Sequence, residues 1–164
     1  MWQNRIAGQG IKPADQFQAH PDNWRTHPKA QQKALTAILN EVGWVDTVIE
    51  NVRTGNLIDG HERVWQALEH NAEVPYIQVD LSPEEEALIL ATLDPIGAMA
   101  GRDQDKLKAV AAQAKPVSQE ALETLQNIVN SVKGVGQPED FSGNEKDDKE
   151  TECCCPKCGY RWIG

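Results

Sequence analysis

The fold of this chain is decided by one stretch of seven residues, Leu57-Ile58-Asp59-Gly60-His61-Glu62-Arg63. Two apolar residues ahead of an acidic one have the character of a short strand, and the glycine after them ends the strand and lets a helix begin. The amide groups at the start of a helix lack hydrogen-bond partners and carry partial positive charge. A turn of this kind is therefore predicted to suit an anionic ligand.

The polar side chains of this stretch each have a chemical use. Arg63 can place two hydrogen bonds on a phosphate group. Asp59 and Glu62 can hold a divalent cation or accept a proton from an attacking group, and with His61 they are the candidate catalytic residues. The same residues also allow a structural interpretation, in which Asp59 caps the helix and Arg63 pairs with a surface carboxylate. Taken by themselves, the residue types favour this second interpretation.

Helix and strand patterns surround the stretch on both sides. Apolar residues at helical spacing predict a helix that begins at Pro28 and ends at Gly43. Residues 45 to 52 are rich in β-formers, and the turn at residues 53 to 56 folds them back as a hairpin into the strand quoted above. A short helix and then a strand over residues 74 to 79 complete the unit.

The other helices are predicted from a cap and from apolar stripes. Ser82-Pro83-Glu84-Glu85 has the composition of a capped helix start, and Asp94-Pro95 is expected to end that helix. Two further amphipathic segments lie near residues 103 to 115 and 118 to 132. Residues 1 to 27 are expected to form only short extended segments and turns.

Composition and charge narrow the class of protein. The chain has 164 residues, 40% of them hydrophobic and 25% charged, which predicts one folded core of ordinary size. It has no apolar run of about 20 residues and no secretory signal, so we expect a cytoplasmic protein with no membrane partner. The net charge of −9 argues against indiscriminate coating of DNA. Seven acidic residues and two lysines lie between residues 139 and 152, and residues 134 to 152 are predicted to be a disordered acidic linker.

All four cysteines lie in residues 153 to 164, too close together to cross-link a fold. Cys155 and Cys158 have the spacing of a zinc-ribbon knuckle, in which two thiolates bind one metal ion. A tetrahedral zinc site needs two more ligands. Either the tail is the remnant of a longer ribbon, or Cys153 or Cys154 together with an outside group supplies the missing ligands, or a second chain does. The last case would give a homodimer through the tail. An unliganded thiol cluster is the alternative.

The quoted stretch and its neighbours together resemble the ParB/sulfiredoxin superfamily. His20-Pro21-Asp22-Asn23-Trp24-Arg25 is similar to the Asn-x-Arg box of that family, and residues 57 to 68 are similar to its Asp-Gly-His-x-Arg box. Gly43-Trp44-Val45-Asp46-Thr47-Val48 lies between them in the matching order. Residues 81 to 97 look like the next segment of the short ParB-like "nuclease domain" proteins of phages and mobile elements. The resemblance covers about residues 11 to 101.

This resemblance implies an α+β fold, in which helices pack on a small mixed β-sheet of the ParB/sulfiredoxin type. It also implies a nucleotide or phosphate site at Gly60, His61 and Arg63, with Asn23 and Arg25 facing it. The implied ligand is a nucleoside triphosphate with magnesium.

Departures from the family pattern narrow the function. Sulfiredoxins carry a catalytic cysteine where this chain has His61, which argues against sulfinic-acid repair. Partition ParB proteins read Gly-Glu-Arg-Arg where this chain reads Gly60-His61-Glu62-Arg63, and they continue into a helix-turn-helix DNA reader and a dimerisation domain. Only about 30 residues of predicted helix follow Gly101 here, so the resemblance supports neither CTP switching nor centromere binding.

We therefore expect a nucleotide-binding protein in the DNA metabolism of a phage or mobile element, with DNA or a DNA-processing protein as its partner. One alternative is a metal-dependent nuclease or phosphotransferase, with Asp59 or Glu62 as metal ligand or base and Arg63 on phosphate. The other is a non-catalytic adaptor that docks a DNA-modifying enzyme through the tail. The predicted organisation is a domain over residues 1 to 101, a helical extension over residues 102 to 133, the acidic linker and the cysteine knuckle.

Overall fold

The computed structural model describes residues 1 to 130 in full. For residues 131, 152 to 154 and 161 to 163 it describes the backbone. Most of the predicted acidic linker, together with Cys155 and Cys158, lies outside the described residues. The architecture is α+β, as predicted. The elements in chain order are β1 (Ile6–Pro13), a 3-10 turn (Ala14–Gln16), α1 (Lys29–Val42), β2 (Val48–Asn51), β3 (Leu57–Asp59), α2 (His61–Glu69), β4 (Glu73–Val79), α3 (Pro83–Ala98), α4 (Gln104–Ala111), α5 (Gln119–Ser131), β5 (Glu152–Cys154) and β6 (Arg161–Ile163).

Four strands form one mixed sheet in the order β1-β4-β2-β3. The predicted hairpin is present, because β2 and β3 pair antiparallel. β4 pairs antiparallel with β1 and parallel with β2. A parallel pair needs a crossover connection, and here α2 supplies it between β3 and β4. The sheet thus places the start of α2 directly after its short edge strand.

The core lies between α2 and the sheet. Its fully buried side chains come from the 3-10 turn, from β2, β3 and β4, and from the inner face of α2. These residues are Ala14, Val48, Leu57, Val64, Ala67 and Val74, with Phe17, Trp44, Ala72 and Tyr76 packed around them. Because Val48 is completely buried beneath α2, the first turn of that helix is fixed against β2.

β1 was not predicted as a strand, because its glycines have the character of turn residues. In the structure they allow close packing against β4. A side-chain carbon at Gly10 would lie 3.0 Å from the Tyr76 hydroxyl oxygen, and one at Gly8 would lie 3.2 Å from the amide oxygen of Gln78. The missing side chains leave room for two long side chains of the neighbouring strand, and the segment joins the sheet as its eight-residue edge.

α3 starts as predicted but continues past the predicted end. The Ser82 hydroxyl accepts a hydrogen bond from the Glu85 amide, and the Glu85 carboxylate accepts one from the Ser82 amide, which forms a capping box. Pro95 lies inside the helix, which runs to Ala98. The expectation that Asp94-Pro95 ends the helix is therefore wrong. Proline removes one backbone donor, but the helix continues through this position, and the Pro95 carbonyl accepts from the Met99 amide at its end at 3.2 Å.

Of the last two helices that the structure describes, α5 packs on the domain and α4 packs on α5. α4 contacts α5, and α5 lies along α1. The Glu41 carboxylate near the end of α1 accepts hydrogen bonds from the amides of Val117 and Ser118, at 2.5 and 3.0 Å. The bond from Val117 has the largest effect, and together these bonds lower the pKa of Glu41. A carboxylate of α1 thus supplies two hydrogen-bond acceptors at the start of α5.

Two short strands form near the end of the chain. β5 and β6 pair antiparallel, with Glu152 opposite Ile163 and Cys154 opposite Arg161. In the part of the chain that the structure describes, no helix has both the length and the apolar character to span a membrane.

Candidate functional site

Gly60 marks the junction of β3 and α2, and its role is steric. Its backbone has φ 90° and ψ 17°, a left-handed conformation that favours glycine. A side-chain carbon here would lie 2.8 Å from Cβ of Val48 and would overlap Cγ1 of the same residue. The space that the sequence suggested for a ligand is filled by Val48, so the glycine serves the packing of α2 on β2.

Arg63 is used to hold the segment before β2 against α2. Its guanidinium donates to the Thr47 carbonyl at 2.9 Å, pairs with Asp46 at 2.7 Å and approaches Asp59 at 3.7 Å. The Asp46 side chain is 64% exposed, so Arg63 pairs with a surface carboxylate, as the structural interpretation anticipated. The predicted contact of Arg63 with a phosphate has no support in this geometry.

His61 is buried at the first position of α2. Its Nε2 accepts a hydrogen bond from the His20 amide at 3.2 Å. Burial is the main influence on this group and lowers the pKa of His61 to about 4, against a smaller opposing effect of Asp59. At neutral pH the imidazole is therefore uncharged and acts as a hydrogen-bond acceptor.

Arg25 connects the predicted Asn-x-Arg box to two other elements. One guanidinium nitrogen lies 3.1 Å from Asp59 at the end of β3, and another pairs with Asp94 on α3. The backbone amide of Arg25 donates to the Asn23 side chain at 3.3 Å. Asp59 thus does not cap α2, because its carboxylate is used by Arg25 and Arg63.

A cleft of about 520 Å³ lies between residues 23 to 29, α1 and α2. Of the predicted site residues, the structure brings Asn23, Arg25, His61 and Glu62 to this cleft. Asp59, Gly60 and Arg63 are not among its lining residues. The other residues that line it are His27, Lys29, Gln32, Lys33, Thr36, Trp65, Gln66 and Glu69.

Three of the cleft residues that sequence reasoning missed have side chains suited to binding a ligand. Lys29 and Lys33 lie one turn apart at the start of α1, and the side chain of Trp65 is exposed on α2. Lys29 did carry a signal, because a cation in the first turn of a helix opposes its macrodipole and is usually avoided there. Trp65 carried a weaker one, since its position within α2 also suited a core residue.

A network of hydrogen bonds between α1 and α2 forms the floor of the cleft. The Gln66 amide nitrogen donates to the Gln32 carbonyl and to the Glu62 carboxylate, both at 3.0 Å. The Thr36 hydroxyl donates to the Gln66 amide oxygen at 2.9 Å. Glu62 is therefore held in place by a neutral partner, and one of its oxygens is already in use.

A second buried network lies behind His20. The Glu86 carboxylate on α3 accepts from Asn51, from Thr54 at 2.8 Å and from Asn56 at 3.3 Å, and it lies 3.0 Å from Nε2 of His20. Burial, the largest single influence, raises the pKa of Glu86, but the hydrogen bonds outweigh it and the pKa lies below its ordinary value. Since Nδ1 of His20 accepts from the Asp22 amide, Nε2 carries the hydrogen that faces Glu86.

Residues 1 to 131 contain no group of three or more histidine, cysteine, aspartate or glutamate side chains arranged to hold a metal ion. Cys153 and Cys154 belong to β5, of which the structure describes the backbone, and Cys155 and Cys158 lie outside the described residues. Zinc binding by the tail stays a prediction.

Comparison with solved structures identifies the fold. The chain is similar to the C-terminally truncated chromosome-partitioning protein ParB from Caulobacter crescentus complexed with CTP-γ-S, with a TM-score of 0.53 and 17% identity over 73% of this chain and 71% of that one. A Pnob8-like ParB-N domain has a TM-score of 0.43 and 16% identity over 76% of this chain and 45% of that one. The chain matches no protein-family model and no curated protein. It has the fold of a ParB-like N-terminal domain, as the sequence motifs predicted.

Proposed function

We propose that this chain binds a nucleoside triphosphate in the cleft between α1 and α2 and acts in DNA metabolism. The observation that carries the proposal is the set of cations on one side of the cleft, Arg25, Lys29 and Lys33. A chain with a net charge of −9 places three cationic side chains around one concavity, which suits a polyanionic ligand.

The start of α1 strengthens this preference for an anion. Lys29 is the first residue of the helix, and no acidic residue lies in its first turn. The partial positive charge of the helix start and the lysine charge therefore repel each other, and a bound phosphate group relieves both. Lys33, one turn further, extends the cationic wall along the cleft.

The α2 side of the cleft differs in character. Trp65 is 61% exposed there and offers a flat aromatic surface for a base. Glu69 lines the same side and can accept hydrogen bonds from ring or exocyclic amino groups. Phosphates on the α1 side and a base on the α2 side make a consistent placement for a nucleotide, and the volume lies within the usual range for ligand pockets.

The ParB structure complexed with CTP-γ-S makes CTP the first ligand to test. In this proposal Asn23 and Arg25 contact the phosphates together with the two lysines, while His61 supports the loop at residue 20. Gly60 and Arg63 shape the site from behind. Magnesium would arrive with the phosphates, where Glu62 has one carboxylate oxygen to offer.

Titration calorimetry with CTP, UTP, ATP and GTP, with and without magnesium, tests the proposal. The variant Lys29→Ala/Lys33→Ala should weaken binding about tenfold or more, because two charged contacts to phosphate are lost. Lys106→Ala is the matched control, since this lysine is exposed on α4 away from the cleft, and its affinity should equal that of the wild type. Binding that is equal in all three proteins would remove the cleft as the site.

The two alternative functions, an enzyme and an adaptor, predict different results with the same purified protein. A nuclease or phosphotransferase would convert DNA or the nucleotide in a magnesium-dependent manner, and loss of that activity in Glu62→Gln would assign the catalytic role. An adaptor would bind none of the four nucleotides. Capture of a DNA-modifying enzyme would then depend on the tail.

A further inference from the structure

We propose that Asp94 competes with the anionic group of the ligand for Arg25, so that this carboxylate lowers the affinity of the cleft. The inference rests on the proposed function, because it concerns the same site. It assigns to a residue of α3, outside the lining of the cleft, control over how tightly the cleft holds an anion.

Without a ligand, Arg25 is engaged by two carboxylates. One guanidinium nitrogen contacts Asp59 at 3.1 Å, and the other pairs with Asp94. The Arg25 side chain is 17% exposed and lines the cleft, so it is the cation of the site that lies deepest in the protein. Its charge is already compensated, unlike the charges that Lys29 and Lys33 bring to the cleft.

An anionic ligand can take Arg25 only by displacing one of these acids, and the two differ in how firmly they are held. Asp59 is 17% exposed and also lies 3.7 Å from Arg63. Asp94 is 44% exposed, and within residues 1 to 131 its carboxylate forms an ion pair with Arg25 alone. The acid that yields is therefore Asp94, because it can return to water at the smaller cost.

The position of Asp94 links this exchange to α3. The next residue is Pro95, which removes one backbone hydrogen bond of the helix at this turn. The Trp24 indole donates to the Leu90 carbonyl at 3.1 Å, so residues 24 and 25 together hold α3 beside the site. Coupling between two sites is reciprocal. If the Arg25–Asp94 ion pair lowers the affinity for the ligand by a given free energy, a ligand bound to Arg25 destabilises the last turns of α3 by the same amount.

The variant Asp94→Asn tests this inference by calorimetry with magnesium CTP and with sodium tripolyphosphate. It keeps the shape of the side chain and removes its charge, so both probes should bind about fivefold more tightly than they bind the wild type. Asp80→Asn is the matched control, because Asp80 is 49% exposed and also pairs with an arginine, Arg53, but away from the cleft. Its affinities should be unchanged.

Hydrogen exchange of the amides of residues 91 to 99 supplies a second readout. The ligand should speed exchange there in the wild type, whereas the free Asp94→Asn variant should already exchange at the faster rate. Binding to the wild type that Asp94→Asn does not tighten would overturn this inference and leave the proposed function standing. Binding by the variant alone would support it, and binding by neither protein would overturn both.

Discussion

Gly60 carries two separate requirements, a left-handed backbone and an empty position above Val48. We predict that Gly60→Ala lowers the free energy of unfolding by about 3 kcal/mol, as the sum of backbone strain and overpacking. Urea unfolding followed by circular dichroism measures the loss.

Gly55 separates the two contributions. Its φ is 74°, but a side-chain carbon there would meet no atom within 4 Å. Gly55→Ala should therefore cost only about 1 kcal/mol, the conformational part alone. Equal losses in the two variants would show that the contact with Val48 has no energetic weight.

The buried His61 makes stability depend on pH. Its folded pKa of about 4 lies below the value of about 6.5 expected for an unfolded chain, so the unfolded state binds the proton more readily. The stabilising contribution of the neutral form is complete above about pH 6.5 and is lost as the pH falls toward 4. The total loss is on the order of 3 kcal/mol.

His61→Gln isolates this effect, because glutamine offers an acceptor to the His20 amide but does not titrate in this range. Urea unfolding at pH 7.5 and 5 should show a smaller loss of stability in the variant than in the wild type. Identical pH dependence of the two proteins would mean that another group is responsible.

At the scale of elements, Glu86 joins α3 to the β2–β3 hairpin and to the loop at His20. Glu86→Ala removes the acceptor of the Thr54 hydroxyl and one of the two acceptors of the Asn51 amide, the other being the Leu81 carbonyl, and we predict a loss of about 3 kcal/mol in unfolding free energy. Glu84→Ala is the control on the same helix, because the exposed Glu84 carboxylate accepts a hydrogen bond from the Ser82 hydroxyl at the surface, and its removal should change stability little. Comparable losses would contradict the importance of the network.

Local patterns predicted most of the elements. The stripe of α1, the cap of α3 and the hairpin signal at residues 53 to 56 each depend on near neighbours in the chain, so the sequence displays them directly. β1 and the continuation of α3 through Pro95 depend on partners in other elements. The glycines of β1 make sense only beside Tyr76 and Gln78 of β4, which lie more than sixty residues away in the chain.

The sequence motifs predicted which residues lie at the candidate site but not which contacts those residues make. Asn23, Arg25, His61 and Glu62 do line one cleft, as their motifs suggested. The contacts of Arg63 with Asp46 and Thr47 arise only when α2 packs against the segment before β2. Residue types alone therefore identified the residues of the cleft better than the groups with which the site residues form hydrogen bonds and ion pairs.

At the scale of the whole molecule, the cysteine tail gives a stoichiometric prediction. If two chains share a site made from Cys155 and Cys158, the reduced protein should hold one zinc per two chains, and chelation should dissociate the dimer. One zinc per chain in a monomer would instead bring Cys153 or Cys154 into the site. Metal analysis combined with light scattering distinguishes these outcomes, and protein without metal would contradict both.

Removal of residues 153 to 164 supplies the companion measurement. Because residues 134 to 152 are predicted to be a disordered acidic linker, the melting temperature of the truncated protein should stay within about 2 °C of the full chain. A larger decrease would show that the tail docks on the domain.

The carboxylate of Glu41 makes the helical extension dependent on the domain. Its bonds to the amides of Val117 and Ser118 span 76 and 77 positions in the chain, and α5 buries Ala121 and Thr124 on the side of α1. The segment after residue 101 therefore depends on the domain for its structure. Fused to another protein, it would lose the Glu41 carboxylate at the start of α5 and the face of α1 on which α5 packs. Deletion of this segment would expose the face of α1 that α5 covers, so expression of residues 1 to 101 alone should yield a less soluble product.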